Sequence, residues 1–364
     1  LLLAFSCSPE PDLEADNLTA ANAKSNKSIV KTLVKGANLN GANGIDVGPD
    51  GNLYVASVSG QNITVMDKNS GKIIDRITDG VESPDDLVFG PDGSLYWTDL
   101  IIGEVGRRTP GGMVTKQPDG DPDTALPGVN PIAFNENGRL FVALDFLGDG
   151  LYEFDPNLEQ PPRPIIVASE TNPFPLGFFN SFDFGDNGRL FGPLFAAGIV
   201  ISVDVGDCDP FAEIPVPCPP PTSDPFGTGI ARVEAAIPPG PNGEAPNPAA
   251  AKFDPDGLLT VLDQLGRVWK VDLGDLDDPF DNAPPVLFTT LEPGLDNMVF
   301  DDDGTLYMTN NDEGWVAEIL KNGQARIISP GGIIRPQGLV AMEGSNNQEV
   351  LYEADLFNLR KFNA

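Results

Sequence analysis

The chain has 364 residues, 40% of them hydrophobic, enough to bury one large core or two ordinary ones. Its 54 acidic against 22 basic residues leave a net charge of −32, which excludes nucleic acid as a partner because phosphate binding needs clustered Lys and Arg. Histidine is absent, and with it goes every mechanism built on an imidazole base, nucleophile or metal ligand.

In chain order, the opening stretch LLLAFSC is too short for a membrane span. It resembles the tail of a lipoprotein signal peptide, with Cys7 as the lipid-bearing residue. That implies an exported protein, on the cell surface, in the periplasm or outside the cell, whose membrane contact is the lipid anchor alone. If Leu1–Phe5 are kept, their apolar side chains need cover, and self-association through this segment would supply it. Residues 8–27 are polar and read as a tether, so 1–27 stands apart from a single domain at 28–364. Asn17, Asn26 and Asn62 lie in Asn-x-Ser/Thr sequons. SIVKTLVKG (28–36) is a strand with no partner beside it.

Then a pattern begins. GIDVGPDGNLYVAS (44–57) alternates apolar and polar residues on either side of an Asp-Gly turn, the strongest short hairpin signal. It recurs as DLVFGPDGSLYWTD, PIAFNENGRLFVAL, SFDFGDNGRLFGPL, AKFDPDGLLTVLD, NMVFDDDGTLYMTN and, degraded, GLVAMEGSNNQEVLYEAD. The first apolar residues of the seven copies are Ile45, Leu87, Ile132, Phe182, Ala251, Met298 and Leu339, spaced 42, 45, 50, 69, 47 and 41 residues apart. A third strand (NITVMD, GLYEFD, RVWKVD, WVAEIL) and a fourth (KIIDRIT, RPIIVAS, PVLFTTL, ARIIS) complete each unit. A period in the forties carrying four strands predicts an all-β propeller of seven four-stranded blades, with six as the alternative. The last unit stops at its third strand, LRKFNA, so 28–36 is expected to complete it and close the ring.

The 69-residue interval holds a Pro-rich insertion at about 205–245 with two cysteines. With Cys7 lipidated, Cys208 and Cys218 remain, bracketing nine residues and spaced for a local disulfide in an oxidising compartment. The acidic runs at 119–123, 203–211 and 271–280 read as solvated surface turns.

Two places before each first apolar residue stand Asn43, Asp85, Asn130, Asn180, Ala249, Asp296 and Gln337. Inner strands start near the axis, so these side chains are expected to share one mouth of the channel. Two carboxylates with several amide oxygens form a hard-cation set suited to Ca²⁺. The blade pattern over about 30–364 resembles the senescence marker protein/gluconolactonase group of calcium-dependent propellers. ANGID, SPDDL, VNPIA, FNSFD and LDNMV match that group's axial motifs through Asn43, Asp85, Asn130, Asn180 and Asp296, which the resemblance makes the metal ligands. Virginiamycin lyases and paraoxonases also resemble the chain in blade pattern, but both rely on imidazole.

The second strands end at Ser57, Asp99, Asp145, Asp263, Asn310 and Asp355. Such residues bond to backbone between blades. Asp99 and Asp263 are the choices if one instead activates water at a metal-bound lactone or ester. Three functions fit: Ca²⁺-dependent hydrolysis of a lactone or ester, binding of a small molecule without turnover, and a surface propeller that assembles with itself.

Overall fold

The computed structural model describes residues 30–363 apart from 36–38, 121–122, 146, 169–180, 213, 276–277, 279–281, 330–332 and 344–348. Cys7, the tether and Asn180 lie outside the described residues.

Seven antiparallel four-stranded sheets follow one another along the chain, each with its strands in sequence order except the last. Blade 1 is Ala42–Val47, Leu53–Ser57, Asn62–Met66 and Ile73–Ile77. Blade 2 is Pro84–Phe89, Leu95–Asp99, Glu104–Arg108 and Val114–Gln117. Blade 3 is Val129–Phe134, Leu140–Leu144, Gly150–Phe154 and Arg163–Val167. Blade 4 is Asp183–Phe184, Leu190–Leu194, Ile199–Val203 and Ala231–Ala236. Blade 5 is Pro248–Phe253, Leu259–Asp263, Arg267–Val271 and Val286–Thr290. Blade 6 is Leu295–Phe300, Leu306–Asn310, Trp315–Ile319 and Ala325–Ile327. Blade 7 takes Gly338–Glu343, Glu349–Ala354 and Leu359–Asn363 from the end of the chain and Lys31–Val34 from its beginning. That closing strand pairs Lys31 with Lys361 and Thr32 with Arg360.

The repeated turn is built by local chemistry. Gly51 and Gly93 sit at φ 76° and 78°, where a side chain is strained. The aspartate before each accepts the N–H two residues on, Asp50 from Asn52 and Asp92 from Ser94. Apolar residues from facing sheets then interlock, and one buried cluster occupies each of the seven junctions between neighbouring blades.

The interval 205–245 is not one unbroken insertion. Blade 4's outer strand Ala231–Ala236 runs inside it, so the excursion lies between the third and fourth strands, with a second Pro-rich link after the fourth. Cys208 and Cys218 are joined by a disulfide within the excursion, their Cα atoms 5.2 Å apart. Further along, Thr222 exchanges backbone hydrogen bonds with Ile165 and Val167, at 3.1 and 3.0 Å. The excursion thereby covers the outer edge of blade 3, which would otherwise offer unpaired backbone.

Candidate functional site

Inner strands are sheet edges, and their N–H groups on the axial side need partners. Aspartates supply several. Asp86 accepts from its neighbour Leu87 (2.9 Å) and from Ile132 in the next blade (3.4 Å). Asp183 accepts from Phe184 (2.9 Å) and from Phe253 in the next blade (3.0 Å). Asp46 does the same with Val47 and Phe89. These carboxylates stitch adjacent blades along the channel wall.

Where the inner strands begin, the ladder breaks. In blades 1, 2, 3, 5 and 6 the register shifts near the strand start, with one extra residue on the inner strand. Such a bulge re-aims side chains. It turns neighbouring positions toward the axis, so Asp86 and Asn297 line the mouth as well as Asn43, Asn130 and Asp296; Ser181 lines it from just before the inner strand of blade 4. Gln337, Gln264, Asn311 and Arg335 reach the same cavity from the loops, and Lys252 from one turn of pleat deeper. The cavity holds about 470 Å³, the size that takes a small organic ligand. Blades 7 and 1 meet so closely here that a Cβ on Gly338 would lie 2.2 Å from the Asn43 carbonyl oxygen.

Of the five expected metal ligands, Asn43, Asn130 and Asp296 line this cavity. Asp85 is buried behind Asn43, whose Nδ2 donates to its Oδ1 at 2.6 Å. Asn180 is outside the described residues. Burial, reinforced by the charge of Asp86, pushes Asp85 up to about 7 although Asn43 pulls it down, while Asp145 and Asp296 add repulsion. Burial likewise raises Asp86 and Asp296 to about 6 each. Lys252 opposes the rise at Asp86, and Asn311 and Arg335 oppose it at Asp296.

The ring itself carries no basic residue, but the cavity does, and sequence reasoning missed both Lys252 and Arg335. This donor set fits calcium poorly. Two cationic side chains share the cavity. Asn43 and Asn130 turn their amide nitrogens onto carboxylates, Asn130 onto Asp145 at 3.2 Å. Among the described residues no three acidic side chains form a group able to hold a metal. Six to eight oxygens converging on one point is a different arrangement.

Asp99 and Asp263 are fully buried at the ends of second strands, and neither lines the cavity. Asp99 accepts from the backbone of Glu82 and Ser83 (3.0 and 2.7 Å) and from Trp97 Nε1 (3.0 Å), with Lys116 Nζ at 3.2 Å. Asp263 accepts from the backbone of Asn247 and Leu265 (3.2 and 3.0 Å) and pairs with Arg267. Both clamp the loop that feeds an inner strand, a structural post rather than that of a water-activating base. The Asn62 sequon is also committed: Asn62 is 6% exposed and its side chain bonds Gly60, Thr64 and Arg76.

A pH prediction follows from Asp85. A carboxyl raised in the folded state binds its proton more tightly there than in the unfolded chain. Stability should therefore fall as pH rises from about 4 through 7 and level off above. Asp85→Asn should flatten that decline, and at pH 8 the variant should melt above the wild type. Parallel pH–melting curves for the two proteins would refute the assignment.

Fold and site together define a seven-bladed β-propeller with a charged, polar pocket at one mouth of its axis. No protein family and no curated protein matches the chain in sequence. Solved structures do match in fold. Virginiamycin B lyase of Staphylococcus aureus aligns at TM-score 0.67 and 14% identity, over 92% of this chain and 99% of that one. A catalytically inactive histidine-to-alanine form of that lyase, solved with quinupristin, aligns at 0.68 over the same shares. The Cps50 (Swd1) β-propeller domain of Myceliophteria thermophila aligns at 0.61 and 11% identity, over 92% and 100%. A structure described as a gluconolactonase aligns at 0.49 and 12% identity over 93% of each chain, too loosely to speak to function.

Proposed function

We propose that this propeller binds a small polar molecule at the channel mouth. The observation that carries the reading is the cavity itself, where amides, carboxylates and two cations from six blades converge on about 470 Å³. Packing the axis would have needed only Val or Ala at these positions. The lyase chemistry of the propellers it resembles is unavailable, because a single His→Ala change silences that enzyme and this chain has no histidine. Export belongs to the same proposal. The Cys208–Cys218 disulfide supports it, since such bonds persist in oxidising compartments. The experiment is thermal-shift screening of the purified chain against hydroxylated and charged small molecules. Asn130→Ala and Asp296→Asn should abolish any hit while the variants still melt cooperatively. Hits that survive both substitutions would place binding elsewhere.

Hydrolysis of a lactone or ester is the second reading, favoured by the carboxyls of Asp86 and Asp296 at about 6 beside Lys252 and Arg335. A carboxylate ionised near neutrality would take a proton from water as its oxygen adds to the carbonyl carbon, a nearby cation would hold the developing oxyanion, and its collapse would break the C–O bond to the leaving alkoxide, which takes that proton back from the carboxyl. Turnover of a lactone and ester panel, lost in Asp296→Asn and indifferent to chelator, is the expected result. Turnover that a chelator abolishes would restore calcium to the site.

A further inference from the structure

With 54 acidic against 22 basic side chains, the chain has carboxylates to spare for its cations. Elsewhere several buried and half-buried cations are paired with carboxylates. Lys116 meets Asp99 and Glu104, Arg139 and Arg163 meet Glu153, Lys270 meets Asp254, and Arg360 meets Glu353 and Asp355. Half-buried Lys252 and exposed Arg335 are different. Neither makes a hydrogen bond or an ion pair within 4.0 Å to a described residue, though Lys252 feels Asp86 and Arg335 feels Asp296 at longer range. Both line the same cavity.

Each is held where it stands. Lys252 lies within the inner strand of blade 5, paired with Thr260 across the ladder. The positions that match it in the other six blades are Asp46, Val88, Ala133, Asp183, Val299 and Val340, so it is the one cation at that depth among the described inner strands. Arg335 has φ 53°, a left-handed backbone that costs a branched or long side chain energy. Its loop is pinned by the Ile334 N–H to Asp355 Oδ2 (3.3 Å), by the Leu356 N–H to the Ile334 carbonyl (3.2 Å) and by buried Ile333. A third group in the cavity is also unmet: Asn311 Oδ1 is buried with no hydrogen-bond partner, while the same side chain bonds Asp296. A buried acceptor without a donor is uncommon in a native fold.

We infer that the cavity takes a small organic anion bearing hydroxyl groups, its anionic group held by Lys252 and Arg335 and a hydroxyl donated to Asn311 Oδ1. The inference rests on the reading of the mouth as a small-molecule site. Charge-assisted bonds from two poised cations give the affinity. The surrounding carboxylates accept further hydroxyls and reject a ligand that carries charge without them.

Calorimetric titration of the full chain with glycerate and citrate, with neutral glycerol as the uncharged control, tests this. An anion should bind, with glycerol at least about tenfold weaker. Lys252→Gln and Arg335→Gln should each weaken the anion about tenfold or more, Lys252→Arg should keep most of the affinity, and all three should melt near the wild type. If glycerol binds as well as the anions, or both Gln variants bind like wild type, anion recognition is refuted while the small-molecule site stands. If nothing binds, both readings fall. Calcium chloride alone, titrated in parallel, should give no binding. Binding that tightens in the two Gln variants would assign the cavity to a cation and overturn the inference.

Discussion

Removing residues 28–36 should destabilise the protein by about 5 kcal/mol and lower its melting temperature by roughly 7 °C. The strand Lys31–Val34 supplies the outer edge of blade 7, paired with Leu359–Asn363. Val34 is 6% exposed and enters the cluster between blades 7 and 1, with Leu33 packed beside it. Burying one such side chain is worth about 2 kcal/mol, and each ladder bond adds about 1 kcal/mol. The deletion also removes the strand that hydrogen-bonds the start of the chain into the sheet formed by its end. It leaves Leu359–Asn363 as an open edge, so the truncated protein should aggregate on refolding. Deleting 8–27 instead, a polar stretch, should leave the melting temperature unchanged. Calorimetry on both deletions is the check, and equal melting temperatures would mean that closure contributes nothing.

The second large effect is expected at Glu153. This carboxylate is fully buried and accepts from Arg139 Nε at 2.6 Å and from Arg163 at 2.8 and 2.6 Å. Arg139 in turn donates to the carbonyls of Gly206 and Val205, at 2.6 and 3.3 Å, where the Pro-rich excursion leaves blade 4. Glu153→Ala strands two guanidinium groups in a mostly dry site and should cost about 3–5 kcal/mol, because losing one partner leaves charge uncompensated. The excursion should loosen with it and become sensitive to protease between 204 and 230. Replacing all three residues together, Glu153→Leu with Arg139→Met and Arg163→Met, should recover most of the global stability but not the protease resistance, since the bonds to Gly206 and Val205 are still missing. Urea denaturation and limited proteolysis separate the two effects. A loss under 1 kcal/mol in Glu153→Ala would show the triad to be dispensable.

Blade count, strand order and closure were written locally. Alternation around an Asp-Gly turn specifies a hairpin from a dozen residues, and seven copies specify seven hairpins wherever they end up. The unpartnered strand at 28–36 and the missing one after Leu359–Asn363 match for the same reason: an edge that must be covered is visible in the pattern. Ala231–Ala236 escaped because prolines on both sides mask a six-residue strand and make the whole interval look like loop. The candidate site was only half visible. Asn43, Asn130, Asp296 and Gln337 share a mouth because they share a position in the repeat. Asp86 and Asn297 join them because of a bulge, and a bulge is a property of two paired strands, not of either sequence. Lys252 and Arg335 come from a strand and a loop in different blades, more than eighty residues apart, and they line the same cavity only because the ring closes. Hairpins depend on neighbours in sequence, whereas the charge balance at the axis depends on all seven blades at once, and so only the tertiary structure decided it.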